Sequence, residues 1–450
     1  MATTTSGPSC LAPDRPVDAP DRPVDAPVTP APGRYARMLP DLPPLACDDG
    51  ALLALGRAAA VPDHELADGG EAAGWPVFGQ AVAHDITADR SPLTTRADEA
   101  RIANFRTPRV NLECLYGDGP VGAPFLYSRD DPAKLLTAGH DVPRNSEGTA
   151  LLGDPRNDVH GLIVQFHVLL IRAHNLAVDR LREDGVREGD DFGLARRMTT
   201  WHYQWIVVHD FLRRLVGDEL VGEILRDGPR WYRPGPETYI PFEFADAAYR
   251  YGHSQMRQTY RLNDDLPPRA LLPDLLGFRP VDPAERIDWA LMFDIPGRGP
   301  AQRAKRIDGR LPRALVELPA AITGEVEQEG YRSLAGRDLQ RGFGLGLPSG
   351  ETVARAFGER PLDADELGLR AAHGWSFETP LWLYVLKEAD ARGDGDRLGP
   401  VGGRIVAEVL IGIIRNDPES YLAVAPGWRP SLAGTGEPFG MAELLQAIGA

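Results

Sequence analysis

The chain has 450 residues, of which 43% are hydrophobic and 25% charged, so it can bury a large core and reads as ordinary globular protein. The formal net charge of −16 excludes a protein that wraps nucleic acid or lies on an anionic membrane, because both tasks need basic patches. Three cysteines, Cys10, Cys47 and Cys114, make no disulfide framework and point to a reducing interior such as the cytoplasm.

The first residues carry no basic segment followed by an apolar run, so no secretory signal is expected. No run of about 18 apolar residues is present, so no membrane span is expected either. Residues 12–18 and 19–25 repeat the heptapeptide APDRPVD. Dense proline with alternating charge forms neither helix nor central strand, so 1–34 is expected to be an extended or disordered tail. One domain is expected over 35–450. It should be mainly α, with few short strands. From Val159 to Leu181 apolar residues recur in the three-four rhythm of an amphipathic helix, with Asp158 as candidate N-cap. A second helix is predicted over 195–216, ending near Gly217. A third is predicted over 243–259, behind Pro241. Two more are predicted over 377–392 and 402–416. Pro- and Gly-rich loops fill 262–283 and 293–312.

Most of the ten histidines read as structural. His202 and His209 share one helical stripe, and His167 and His174 repeat that spacing one helix earlier; both pairs fit hydrogen-bonded core residues better than metal ligands. His64, His140, His160 and His373 have no partner visible in sequence. Two others stand in richer surroundings, His84 in GQAVAHDIT and His253 in YRYGHSQMRQTYRLN. Gly252, just before His253, costs about 1 kcal/mol in a helix relative to alanine. Close approach of a large flat group or of another helix would explain it, and the glycine alone favours the helix.

Four segments together resemble the animal haem peroxidase (peroxidase–cyclooxygenase) superfamily. In LLGDPRNDVHGLIVQFHVLLIRAHNLAVDRL, Gly153, Asp154 and Arg156 match a GD-x-R turn, and Arg172, His174, Asn175, Leu176 and Ala177 match the helix string after it. YRYGHS is similar to the proximal-histidine motif, GQAVAHD to the distal one, and DLQRGFGLGLPSG to an N-x-Q-R-G-R segment. Order and rough spacing agree over residues 75–430, nearly the whole expected domain. The implied fold is a large helical domain with haem between distal and proximal helices.

The resemblance also implies roles. His253 would ligate the iron through Nε2, with Asp338 standing where the family has an asparagine that accepts from the other ring nitrogen. A carboxylate there would make the imidazole more anionic and lower the iron potential. His84 would move a proton between the peroxide oxygens, and Arg156 would stabilise the separating charge. Gln80, one turn before His84, matches a glutamine bordering the distal pocket. Arg341 and Arg250 match arginines beside the haem, and at least one should pair with a propionate. Asp85, Thr107, the carbonyl of Arg109, Asn111 and Glu113 fall on the family's calcium ligands, although Asn111 replaces an aspartate and Glu113 a serine. Where mammalian members carry the aspartate and glutamate that bond the haem covalently, this chain has Ala83 and Val159, which implies non-covalent haem b. The cyclooxygenase radical tyrosine aligns with Arg250; Tyr249 and Tyr251 flank it out of register.

The leading reading is a peroxidase that takes hydrogen peroxide and a small organic reductant, phenolic or similar. The runner-up is an oxygenase or oxidase of specialised metabolism on the same scaffold, acting on one defined small molecule. A third is a haem-binding protein without catalysis, against which His84, Arg156 and His253 together argue.

Overall fold

Burial of apolar helix faces against one another sets the architecture of the computed structural model, which describes residues 33–89, 99, 102–323, 332–433 and 438–450. The expected tail lies outside the described residues except for Gly33 and Arg34, which begin strand β1 (Gly33–Ala36). β1 sits between β2 (Ala103–Asn104), antiparallel, and β3 (Tyr239–Pro241), parallel. Just past β1, the amides of Met38 and Leu39 each donate at 2.9 Å to the buried carboxylate of Glu243, which fastens the start of the fold to the segment leading to His253.

Helix α1 (Gly74–Ile86) is apolar almost all round and buried accordingly. Its Phe78 is met edge-on by Phe166, Tyr203 and Phe211, which lock α1 onto the two long helices behind it. The first of these, α2 (Gly161–Glu183), is long and apolar enough to cross a bilayer, contrary to the sequence expectation, but most of its apolar window is buried among other helices of the domain. Its N-cap is His160, whose Nδ1 accepts from Ile163 N, and not Asp158. Asp158 is unavailable because its two oxygens take both terminal nitrogens of Arg144 at 2.7 and 2.9 Å. Helix α3 (Asp191–Ile206) runs on through a π-helical turn, Val207–Phe211, and a last turn, Leu212–Val216, stopping at Gly217 in a left-handed conformation, φ +86°. This agrees with the predicted 195–216.

The predicted helix over 243–259 is broken. Phe242–Ala245 is one helical turn and Ala248–Tyr251 is 3₁₀, followed by a short α4 (Gly252–Gln255) and a strand at Thr259–Tyr260. Ala247, at φ −141° and ψ −83°, interrupts the helical hydrogen-bond series there. Helices α5 (Leu334–Gly344), α6 (Leu381–Arg392) and α7 (Pro400–Asn416) complete the core; the last two start four residues later and two earlier than predicted. The predicted loops 262–283 and 293–312 contain strands of two or three residues, Arg269–Ala270, Arg303–Lys305 and Leu311–Pro312. Their partners are Thr259–Tyr260, Asp68–Ala72 and Ala60–Val61. Runs that short carry no period for sequence to reveal. Gly277 sits so near the turn ahead of α2 that a Cβ would lie 1.8 Å from the Asp158 carbonyl oxygen; its N–H donates to Val159 O at 3.0 Å.

Glu388 of α6 caps the N-terminus of α7, one oxygen accepting from Val401 N at 2.9 Å and Gly402 N at 3.2 Å. Its other oxygen is buried without a partner among the described residues, and burial pushes its pKa up to about 7. A raised acid pKa favours the protonated folded state, so this group's contribution is intact at pH 4.5 and is lost as pH rises through about 7. Between pH 5 and 8 the protein should therefore lose up to about 3 kcal/mol from this group. Glu388→Gln should flatten that part of the pH dependence in thermal melts, and an unchanged slope would refute the assignment.

Candidate active site

The last turn of α1 delivers His84 and Asp85. His84 Nδ1 lies 2.7 Å from Asn157 Oδ1, and Asn157 Nδ2 lies 3.2 Å from His167 Nδ1. These contacts orient the amide: its NH₂ donates to His167, so its oxygen faces His84 and accepts the Nδ1 proton. His84 Nε2 is then a bare acceptor, with no partner among the described residues. Burial first, and the neighbouring Arg156 charge second, lower the His84 pKa to about 3, so the ring is neutral.

Arg156 stands beside it. Its Nη2 donates to the His84 carbonyl at 2.9 Å and to Asp154 Oδ2 at 2.7 Å, while its own amide and Nε donate to Asp154 Oδ1. Burial acts to raise the Asp154 pKa, but the two guanidiniums of Arg156 and Arg106 outweigh it and hold the carboxylate ionised, well below its ordinary value. Gln80 Oε1 accepts from His160 Nε2 at 2.9 Å, consistent with the capping role of His160 Nδ1.

On the other side, His253 Nδ1 lies 2.6 Å from Asp338 Oδ2. Asp338 is fully buried in the middle of α5, whose N-cap is Ser333, so it is no helix cap. Its other oxygen accepts from Arg250 Nη1 at 3.0 Å. Burial pushes the Asp338 pKa up, and His253 and Arg250 together more than offset it, leaving the carboxylate ionised. His253 Nε2 has no partner among the described residues. A Cβ on Gly252 would meet nothing within 4 Å, so the helix that the glycine suggested is not there and the space beside His253 is open. Arg341 bridges Asp89 and Asp246 at 3.0 and 3.1 Å, and Arg250 also approaches Asp246.

Thus each of two imidazoles is held through Nδ1 by a side-chain oxygen and presents an unpartnered Nε2. Haem fits the chemistry of these donors: an imidazole Nε2 backed through Nδ1 by a carboxylate would suit iron, and the space beside Gly252 is open.

The side chains of the expected calcium loop hydrogen-bond within the protein. Asp85, fully buried, accepts from Leu112 N at 2.9 Å and more weakly from Cys114 N, and burial raises its pKa to about 7. Leu112 is left-handed at φ +59°, a strain those bonds help hold. Asn111 accepts from Glu113 N, Thr107 donates to Glu113, and the Arg109 side chain reaches Asp417 at 3.4 Å. Among the described residues no three His, Cys, Asp or Glu side chains are placed to hold a metal. The other histidine pairs are core residues: His202 accepts from Ser431 N and Leu432 N, His209 pairs with Tyr421, and His174 with Tyr116 and Ala133 O.

Sequence reasoning missed Asn157 and Arg106, and it saw Asp154 only as part of a motif. Asn157 directly follows Arg156, which was the available signal; Arg106 had none, since its partners lie 7 and 48 residues away.

A family model described as animal haem peroxidase matches residues 122–349. Heme peroxidase 2 of Caenorhabditis elegans is 24% identical over 351 residues, covering 71% of this chain and 48% of its own length. The chain thus spans about half of that relative. Peroxidase A from Dictyostelium discoideum has the same fold, with TM-score 0.69 at 15% identity over 93% of each chain. So has the fatty acid alpha-dioxygenase of Oryza sativa, TM-score 0.61 at 15% identity over 82% of this chain and 72% of that one.

The lowered pKa has a direct consequence. In a ¹⁵N histidine titration of the folded protein, the His84 ring should stay neutral from pH 8 to 5. Arg156→Gln should move its midpoint upward by removing the adjacent positive charge. A wild-type midpoint near the ordinary imidazole value would show that His84 is neither desolvated nor beside Arg156.

Proposed function

Because this chain belongs to the animal haem peroxidase family, we propose that it is a peroxidase holding non-covalent haem b, with His253 as iron ligand and His84 and Arg156 as the groups that activate hydrogen peroxide at the expense of a small organic reductant. The carrying observation is the pair of histidines with Nδ1 tied and Nε2 free, one of them beside a guanidinium. When bound, haem would supply iron redox chemistry, namely the electrons that reduce peroxide and that the organic reductant then replaces.

The protein's own part follows from the geometry. His84, neutral and proton-free at Nε2, takes a proton from the incoming peroxide and returns it to the departing oxygen; Asn157 keeps the ring in that tautomer throughout. Arg156, steered by Asp154, holds fixed positive charge where negative charge develops. Asp338 accepts the Nδ1 proton of His253 and makes the ring a stronger donor to iron, while Arg250 shares that carboxylate and moderates the effect. Arg250 and Arg341, both paired with Asp246 on the His253 side, are the candidates to meet a propionate. Ala83 and Val159 offer no carboxylate for a covalent link, and the nearby Asp158 is committed to Arg144. The free thiols of Cys47 and Cys114 suit a cytoplasmic setting.

A substrate-specific oxygenase is the second reading. Two observations favour weighing it: the fold shared with a fatty acid alpha-dioxygenase, and the Tyr249 hydroxyl, four residues before His253, buried without a partner among the described residues. Product labelled from ¹⁸O₂ with one defined substrate would select it.

The test begins with an absorption spectrum of the haem-loaded protein and rapid-mixing spectra after hydrogen peroxide. A Soret band that shifts within milliseconds and returns with a phenol supports the peroxidase; a band indifferent to peroxide rejects it. His84→Ala should keep haem and slow the peroxide step by about 10²- to 10⁴-fold. His253→Ala should lose haem. Asp338→Asn should keep haem and raise the iron reduction potential; an unchanged potential would show that the carboxylate does not act through His253.

A further inference from the structure

We infer that Arg106 takes the place of the cation in the loop after α1, so that this chain positions its peroxide-side arginine with an internal guanidinium and without calcium. The inference rests on the reading of Arg156 above.

Arg106 is fixed at both ends. Its amide donates to Asn104 Oδ1 at 3.1 Å, and the same buried amide side chain also takes Ala88 N and gives to Ile86 O, so residue 106 is pinned to the exit of α1. Its guanidinium reaches two carboxylates and a carbonyl: Nη1 to Glu113 at 3.1 Å, Nε and Nη2 to Asp154 Oδ2 at 2.9 and 2.7 Å, and Nη2 to Gly153 O at 2.7 Å. The side chain is 11% exposed and that of Asp154 2%. A planar fork of fixed charge in so dry a place is what guanidinium offers and ammonium does not.

A calcium ion needs six to eight oxygens at one point. Here the three carboxylate and amide side chains expected as ligands each already accept a hydrogen bond. Asp85 faces the amides of Leu112 and Cys114, Asn111 faces the amide of Glu113, and Glu113 faces Arg106 and Thr107. A positive charge already bridges the loop to Asp154. The bridge also leads onward, because the other oxygen of Asp154 takes the amide and Nε of Arg156, and Arg156 in turn donates to the His84 carbonyl. Arg106 is therefore a positioning residue for Arg156. Unlike a bound ion, it cannot be stripped by a chelator.

The experiment uses the haem-loaded full chain, dialysed with and without a calcium chelator. Calcium content, melting temperature and cyanide affinity of the ferric protein are measured. The expected result is far less than one calcium per chain, with neither melting temperature nor cyanide affinity changed by the chelator. Near-stoichiometric calcium whose removal lowers either would overturn the inference. Arg106→Gln should weaken cyanide binding by about tenfold or more, as loss of a supporting partner does, and Arg106→Lys should restore part of it. Wild-type cyanide affinity in Arg106→Gln would refute the positioning role. If that variant does not fold, the wild-type calcium measurement decides alone. If the chain takes up no haem, the peroxidase reading fails, while calcium content and melting of the unloaded chain still decide the cation question.

Discussion

One carboxylate, Asp154, sits between two guanidiniums, and the His84 side of the candidate site depends on it. It is almost wholly buried, and either arginine alone would leave part of its hydrogen-bonding capacity unmet in a place where water cannot help. The three groups therefore stand or fall together, and they tie the loop after α1 to the turn before α2. Breaking such a buried set by removing one member is far costlier than never having had it, because the survivor remains charged and dry.

The two histidines are treated alike by the fold and differently by its electrostatics. Each gives Nδ1 to a side-chain oxygen. Burial first, and the arginine beside the ring second, hold the His84 imidazole neutral, while its partner is a neutral amide. The partner of His253 is an ionised carboxylate, which makes the ring electron-rich. A proton shuttle must let go of its proton easily, whereas an iron ligand must push charge toward the metal. The same ring could serve the two proposed roles because the acceptor behind it differs.

Much of this was legible in sequence. The helix over 195–216 and those near 159–181 and 402–416 followed from apolar period, since burial on one face leaves a repeating trace. His84, Arg156 and His253 stood in motifs whose order is itself informative, and Asp338 stood out as a departure from one of them. The helix over 243–259 was read wrongly, because Ala247 leaves helical geometry without any proline or glycine to announce it. The N-cap went to Asp158 instead of His160, because no local pattern shows that Arg144 claims the aspartate.

By itself the sequence determined the helical class, the long core helices and the residue types able to ligate iron and move a proton, because periodicity and motif are local along the chain. Only the tertiary structure decided which charge faces which. Asn157 behind His84, Arg250 sharing Asp338, and Arg106 between Glu113 and Asp154 are pairings that folding makes. Three of the contacts involved span 48, 73 and 88 residues. Electrostatic partners are chosen by distance in space and by the exclusion of water, and neither is written in the spacing of residues along the chain.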